Sequence, residues 1–319
     1  MIPTKRASRI VAALAVPAFL FTAACGSEDA GDGGPAATVS GKPGEQPEIS
    51  VNEDADLGAP TSKVVTDGDG REVGEGDFLR LDVVARTVSD DAELLNTWAS
   101  AQEGEPHAQI VAQAGVESFL PKTVTDELIQ RRVGSRVQVE GSATEIFGSA
   151  AEGSFPEGEG TVWVIDIAAA LSVDLESEVE GEQAETAEGM PEVQAGGKEP
   201  ATITIPEGQE PPEELQEQVL IEGDGAEVEA GQALAVQYTG VLWDSGEKFD
   251  SSWDRDSASA FQIGTGQVVP GWDEGLVGKH VGDRVLLVLP PDMGYGEDGN
   301  DTIPGGSTLV FVVDILGAA

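Results

Sequence analysis

Hydrophobic and polar positions alternate from Ala233 to Thr239, and runs of β-branched residues and leucine occupy Arg284 to Leu289 and Thr308 to Leu316. A period of two marks a strand with one buried face, and short apolar runs between turn residues mark further strands. Gly223-Asp224-Gly225, Asp244-Ser245-Gly246 and Glu297-Asp298-Gly299 provide the turn chemistry between them. Pro270 to Val277 predicts one short helix, with proline in its first turn and Gly278 just past its end. The pattern predicts an α+β unit, a small antiparallel sheet with one short helix against it.

This pattern occurs twice. Val64-Val65-Thr66-Asp67-Gly68-Asp69-Gly70 answers Val219-Leu220-Ile221-Glu222-Gly223-Asp224-Gly225, an offset of 155 that continues without a gap to Trp98 and Trp253. After a short insertion in the first copy, Val133-Gly134-Ser135-Arg136-Val137 answers Val281-Gly282-Asp283-Arg284-Val285, and Phe147-Gly148 answers Tyr295-Gly296. Trp163-Val164-Ile165-Asp166-Ile167 then answers Phe311-Val312-Val313-Asp314-Ile315. Such ordered self-similarity predicts two copies of one fold.

Between and before the copies the composition changes. Gly26 to Gln46 and Val173 to Glu199 are rich in Gly, Ala, Glu and Asp and poor in large apolar residues. Such segments bury too little surface to offset their ordering entropy, and like charges extend them. The reading is therefore a disordered linker at 25–45, a first domain at 46–172, an acidic disordered linker at 173–198 and a second domain at 199–319. Residues 1–24 read as a secretory signal, with Lys5, Arg6 and Arg9 before an apolar run too short to span a bilayer. Thr22-Ala23-Ala24-Cys25-Gly26 resembles a bacterial lipoprotein signal, although Thr22 stands where that pattern prefers leucine. The resemblance implies lipidation at Cys25 and anchoring to the outside of a cell membrane; the alternative is an ordinary secretory signal with an incidental cysteine. Cys25 is the only cysteine, so no disulfide joins two parts of the chain. A net charge of -42 opposes binding to nucleic acid or, without the anchor, to an anionic membrane. With two histidines far apart in sequence, no metal site is expected.

Aromatics make up 5% of the chain, yet six fall between Tyr238 and Trp272. They are Tyr238, Trp243, Phe249, Trp253, Phe261 and Trp272, with Asp244 and Asp250 among them. That concentration points to an apolar concavity with a few placed polar groups, the usual form of a small binding site. Trp253 recurs in both copies and reads as structural; Trp243 falls near a hairpin tip.

The second copy resembles the FKBP-type peptidyl-prolyl cis-trans isomerases through VQYTGVL (236–242), KFDSS (248–252), VVPGWDEGL (268–276), VGDRV (281–285), PDMGYG (291–296) and IPGGSTLVFVVDIL (303–316). The resemblance implies two FKBP-like domains, each an antiparallel half-barrel wrapped around a short helix. It implies catalytic roles for Tyr238, Asp250, Trp272, Tyr295 and Phe311, and substrate contacts for Phe249, Val268, Val269 and Ile303. Trp272 would be the floor, while the Val269 N–H and the Tyr295 hydroxyl would bond peptide carbonyls. Ser259 and Asn300 depart from the family pattern at the rim. In the first copy Val83, Leu94-Leu95, Val124 and Phe147 stand where the second has Tyr238, Phe249-Asp250, Trp272 and Tyr295, so that copy reads as degenerate. The activity implied is prolyl isomerisation of secreted or envelope polypeptides by a monomer, without cofactor. Rapamycin-like macrolides are a further implied ligand class. The alternative is a non-catalytic chaperone or adaptor that binds unfolded chains or an envelope partner.

Overall fold

The computed structural model describes residues 35–102 and 105–319; the segment 1–24 and Cys25 lie outside the described residues. The first half runs β1 (Ala37–Ser40), β2 (Glu48–Val51), β3 (Thr61–Thr66), β4 (Phe78–Thr87), β5 (Glu93–Asn96), β6 (Ile110–Gln113), α1 (Lys122–Asp126), β7 (Arg136–Ser142), α2 (Ala143–Phe147) and β8 (Gly160–Leu171). The second runs β9 (Glu192–Gln194), β10 (Thr202–Thr204), β11 (Gln216–Ile221), β12 (Ala233–Leu242), β13 (Lys248–Ser251), β14 (Ser259–Gln262), α3 (Pro270–Leu276), β15 (Arg284–Leu289) and β16 (Leu309–Ala318).

Each half builds one antiparallel sheet, and the two sheets have the same topology. Strand order is β3-β7-β8-β4-β5 with β6 also on β4 in the first, and β11-β15-β16-β12-β13 with β14 also on β12 in the second. Even the irregularities repeat. Register breaks at Val64/Thr66, Arg80/Leu81 and Ala85/Arg86 recur 155 residues later at Val219/Ile221, Ala235/Val236 and Gly240/Val241. A bulge bends its strand and increases its local twist, so matched bulges give the two sheets matched curvature.

Residues 285–289 form a continuous apolar run, and β15 is buried on both faces. Val285, Leu287 and Leu289 point into the core that also holds Trp272 and Leu276 of α3. Leu286 and Val288 point the other way, into a second cluster with Val310, Val312, Trp243, Met190, Val193 and Ile203. Trp243 is thus buried under the β9–β10 hairpin. The first sheet is covered likewise: Val162 and Val164 of β8 pack with Ala36 and Ala37 at the start of the β1–β2 hairpin.

These hairpins correct the two expected linkers. Residues 35–45 and, within the expected second linker 173–198, residues 176–198 are straps laid on the outer faces of the sheets. A strap succeeds with few apolar residues because it adds them to an existing sheet face and needs no core of its own. Its backbone is bound by a buried ion pair from the repeated motifs. Arg136 bonds Asp166 and donates to the Ser40 and Glu45 carbonyls, while the Gly44 N–H donates to Asp166. Arg284 bonds Asp314 and donates to the Val179 carbonyl, while the Val179 N–H donates to Asp314. Residues 171–175 pass between the domains, where Leu171, Val173 and Leu175 pack with Phe78, Ala235, Ala258 and Leu316.

Candidate functional site

The second domain holds a cavity of about 530 Å³ between α3 and the concave face of its sheet. Proline at the first turn fixes the entry to α3. Asp273 draws in the preceding loop, accepting hydrogen bonds from the N–H groups of Gly264 at 2.6 Å and Gly266 at 2.7 Å. A side chain at Gly271 would stand 2.3 Å from Leu289, so glycine lets the helix lie directly on β15. Trp272 follows and forms part of the cavity lining.

The aromatic rings lock one another. Trp272 meets Tyr238 edge-on at 5.3 Å between centroids and Phe311 edge-on at 5.1 Å, and lies 5.0 Å from Phe261. Phe249 in turn stands edge-on to Phe311 at 5.4 Å. Edge-to-face pairs at such distances contribute about 0.5–1.5 kcal/mol each beyond their buried area. Gly240, on β12 between the Phe249 and Phe311 rings, makes this possible: a Cβ there would fall 2.6 Å from one ring and 2.8 Å from the other. The Trp272 indole N–H is buried without a hydrogen-bond partner among the described residues.

One polar cluster stands on this aromatic wall. The Tyr238 hydroxyl donates a short hydrogen bond to Asp250. Arg255 donates to Asp250 at 2.6 Å and to the Tyr238 hydroxyl at 2.9 Å, and its guanidinium lies 5.7 Å from the centre of the Tyr238 ring. Burial, then the Asp250 carboxylate, pushes the Tyr238 phenol up to about 12. Burial alone would raise the Asp250 carboxyl, but hydrogen bonds from Tyr238 and Arg255 outweigh it and hold the group below its ordinary value. Burial alone would lower Arg255, but its hydrogen bonds and attraction to Asp250 and Tyr238 together outweigh it and raise the group. Near neutral pH the cluster is therefore one carboxylate, one guanidinium and one neutral phenol.

Of the residues expected at the site, Tyr238, Phe249, Asp250, Val268, Val269, Trp272, Tyr295 and Phe311 all line the cavity. Tyr295 is its most exposed aromatic, at 42%. Ile303 does not join the wall; it is buried in the core beneath the loop that follows Tyr295. Asn300, at a position where the family pattern differs, staples that loop by accepting from the N–H groups of Thr302 and Ile303 at 2.9 Å each. Sequence reasoning missed Arg255 and Gln267. Arg255 carried one signal, being one of two cations between Tyr238 and Trp272.

In the first domain the equivalent space is filled by side chains. Val83 and Val124 are fully buried, and Trp163, in the place of Phe311, lies in the core with Ile146 of α2. Phe147 stacks on Phe155 at 5.0 Å and leans on Trp163 at 5.8 Å. The Thr123 hydroxyl donates to the Ile146 carbonyl at 2.7 Å, closing α2 onto α1.

A sequence profile of the FKBP-type peptidyl-prolyl cis-trans isomerases matches residues 225–316. An FK506-binding protein of Streptomyces anulatus is 44% identical over 111 residues, which are 34% of this chain and 90% of that protein. A probable FK506-binding protein of Corynebacterium glutamicum is 41% identical over 116 residues, 36% of this chain and 96% of its relative. FK506-binding protein 2B of Rhizopus delemar is 49% identical over 112 residues, 34% of this chain, and here the chain spans only 54% of the relative's length. On these similarities the chain belongs to the FKBP-type peptidyl-prolyl cis-trans isomerase family.

Proposed function

We propose that the second domain isomerises X–Pro bonds of polypeptides in the cell envelope, that the first domain has no isomerase activity of its own, and that the chain is held at the membrane through lipidated Cys25. The observation that carries the catalytic reading is the cavity floored by Trp272 and walled by Tyr238, Phe249 and Phe311. An X–Pro amide rotates over a barrier of roughly 18–20 kcal/mol because twisting breaks its resonance. The twisted amide has lost charge separation, so an apolar slot favours it over the planar form, and the difference lowers the barrier. Rotation forms and breaks no covalent bond and so needs no nucleophile. The Asp250–Arg255–Tyr238 cluster holds the wall in place and presents a fixed field beside the prolyl carbonyl. The filled first-domain space is the reason for reading that domain as inactive.

The full chain is expected to accelerate cis-trans exchange of a short X–Pro peptide and to be inhibited by rapamycin-like macrolides that occupy the same cavity. The rate is expected to be flat from about pH 6 to about pH 9, because Asp250 stays ionised and Tyr238 neutral throughout that range. A folded chain with no exchange activity would refute the isomerase reading and leave a module that binds unfolded chains or an envelope partner. The envelope location rests on the sequence of residues 1–25. Expressed in a bacterium with lipoprotein processing, the chain is expected in the membrane fraction with acyl mass on its Cys25 peptide. Cys25→Ser is expected to lose the acyl mass and leave the membrane; persistence of that variant in the membrane would overturn the anchor.

A further inference from the structure

The cavity rim is tied to the other domain. Gln267 lines the cavity immediately before Val268 and Val269, and its side-chain amide points across the domain boundary. Its Nε2 donates to the backbone carbonyl of Gln109 at 2.8 Å and to Gln262 Oε1 at 2.6 Å. Gln262 Oε1 also accepts from the Gln109 N–H at 2.7 Å, and Gln262 Nε2 donates to the His107 carbonyl at 3.1 Å. Gln109 and Gln262 are both buried. A glutamine amide both donates and accepts, so these two side chains join backbone groups on both sides of the boundary.

The first-domain end of this network is itself fixed. The Gln109 side chain donates to Asp82 at 2.6 Å and accepts from Arg80 at 2.7 Å, both on β4. Asp82 is buried and also accepts from Thr97 and bonds His107. On the other side of the boundary, the loop 263–269 has only its start and middle secured by Asp273, through Gly264 and Gly266. Its last part, which enters the peptide-binding rim, is held at Val269 by the Trp272 and Asp273 N–H groups of α3 and, two residues earlier, by the Gln267 side chain.

We infer that the first domain is a positioning element of the isomerase site, in which Gln109 holds Gln267 and thereby sets the rim segment 267–269 against the substrate. This rests on the isomerase reading above. It assigns a role to a domain whose own pocket is filled, and it makes Gln267 a positioning residue whose amide faces away from the reaction. Because the rim contacts the peptide and not the rotating bond, loss of the tie should weaken substrate binding more than turnover.

The test uses the full chain. Gln267→Met keeps the length and apolar stem of the wall but removes the donor; Gln109→Ala leaves the acceptor carbonyl in place but removes the side chain that fixes it to Asp82 and Arg80. Each is expected to raise KM about threefold to tenfold, the range of one hydrogen bond, with kcat within about twofold. The double variant should be no worse than the poorer single one, since Gln109→Ala loosens the acceptor of the same tie whose donor Gln267→Met removes. Gln267→Lys, which returns a donor within reach of the Gln109 carbonyl, should restore most of the loss. Multiplying effects, or an unchanged KM in folded Gln109→Ala, would overturn the inference. Hydrogen exchange of the 264–269 amides supplies a readout that needs neither turnover nor a folded Gln109→Ala: Gln267→Met should speed it several-fold, and unchanged exchange would overturn the inference even if the protein proved not to be an isomerase.

Discussion

Arg284→Met is expected to destabilise the chain by about 3–5 kcal/mol, the usual consequence of removing one partner from a buried ion pair. Arg284 and Asp314 are each 4% exposed and meet through two bonds, at 2.6 and 2.7 Å. Burial would by itself lower the guanidinium, but the hydrogen bond and charge of Asp314 raise it above its ordinary value. Without Arg284 the carboxylate keeps only a neutral backbone donor, the Val179 N–H. The strap also loses a donor at the Val179 carbonyl. Urea denaturation of the full chain should show the loss. Amide exchange should show it most strongly at 179–194, because the strap lies on the outer face and is the first part freed. Arg284→Met combined with Asp314→Leu should recover most of the stability, since no buried charge then remains unpaired. A change below about 1 kcal/mol in the single variant would mean that the straps are held by their apolar contacts alone.

The same pair shows how far the sequence could be read. Arg284 and Asp314 stood out as repeated residues, matched by Arg136 and Asp166, and the repeat foretold two sheets of equal topology. Nothing local showed that they bind straps from 91 to 135 residues away along the chain. The straps looked disordered because their apolar residues are sparse and their charge is high. Ala36, Ala37, Met190 and Val193 become buried only because a sheet face is already there to receive them. Four of the eight expected residues on the wall, Tyr238, Phe249, Asp250 and Trp272, were legible in the aromatic cluster, and Val268, Val269, Tyr295 and Phe311 came only from the family pattern. Ile303 carried the pattern but turned inward under its loop. Gln267 was illegible for a different reason: its partner Gln109 lies 158 residues earlier, and a lone glutamine has no periodicity to betray it.

Trp272→Ala is the substitution expected to cost most in activity. In the proposed mechanism the indole supplies the floor, and a proline ring resting on it would gain roughly the 1.5–3 kcal/mol attached to burying an apolar side chain. If that contact is fully used in the twisted state, its loss lowers kcat/KM by about 10- to 100-fold. The same change should destabilise the domain by about 3–5 kcal/mol, because Tyr238, Phe261 and Phe311 all lose a ring they pack against. Trp272→Leu separates the two effects. Leucine keeps the floor apolar and removes the buried N–H that has no acceptor among the described residues, a group whose burial costs about 1–3 kcal/mol. Its stability loss should therefore be smaller than that of alanine, while its activity should fall between alanine and wild type. Stopped-flow exchange of an X–Pro peptide, measured on variants that remain folded by circular dichroism, gives the comparison. Full activity in a folded Trp272→Ala chain would remove the floor from the mechanism and move the chemistry onto the Tyr238–Asp250–Arg255 wall. An activity loss as large in leucine as in alanine would mean that the flat indole face, and not apolar character alone, is what the twisted amide requires.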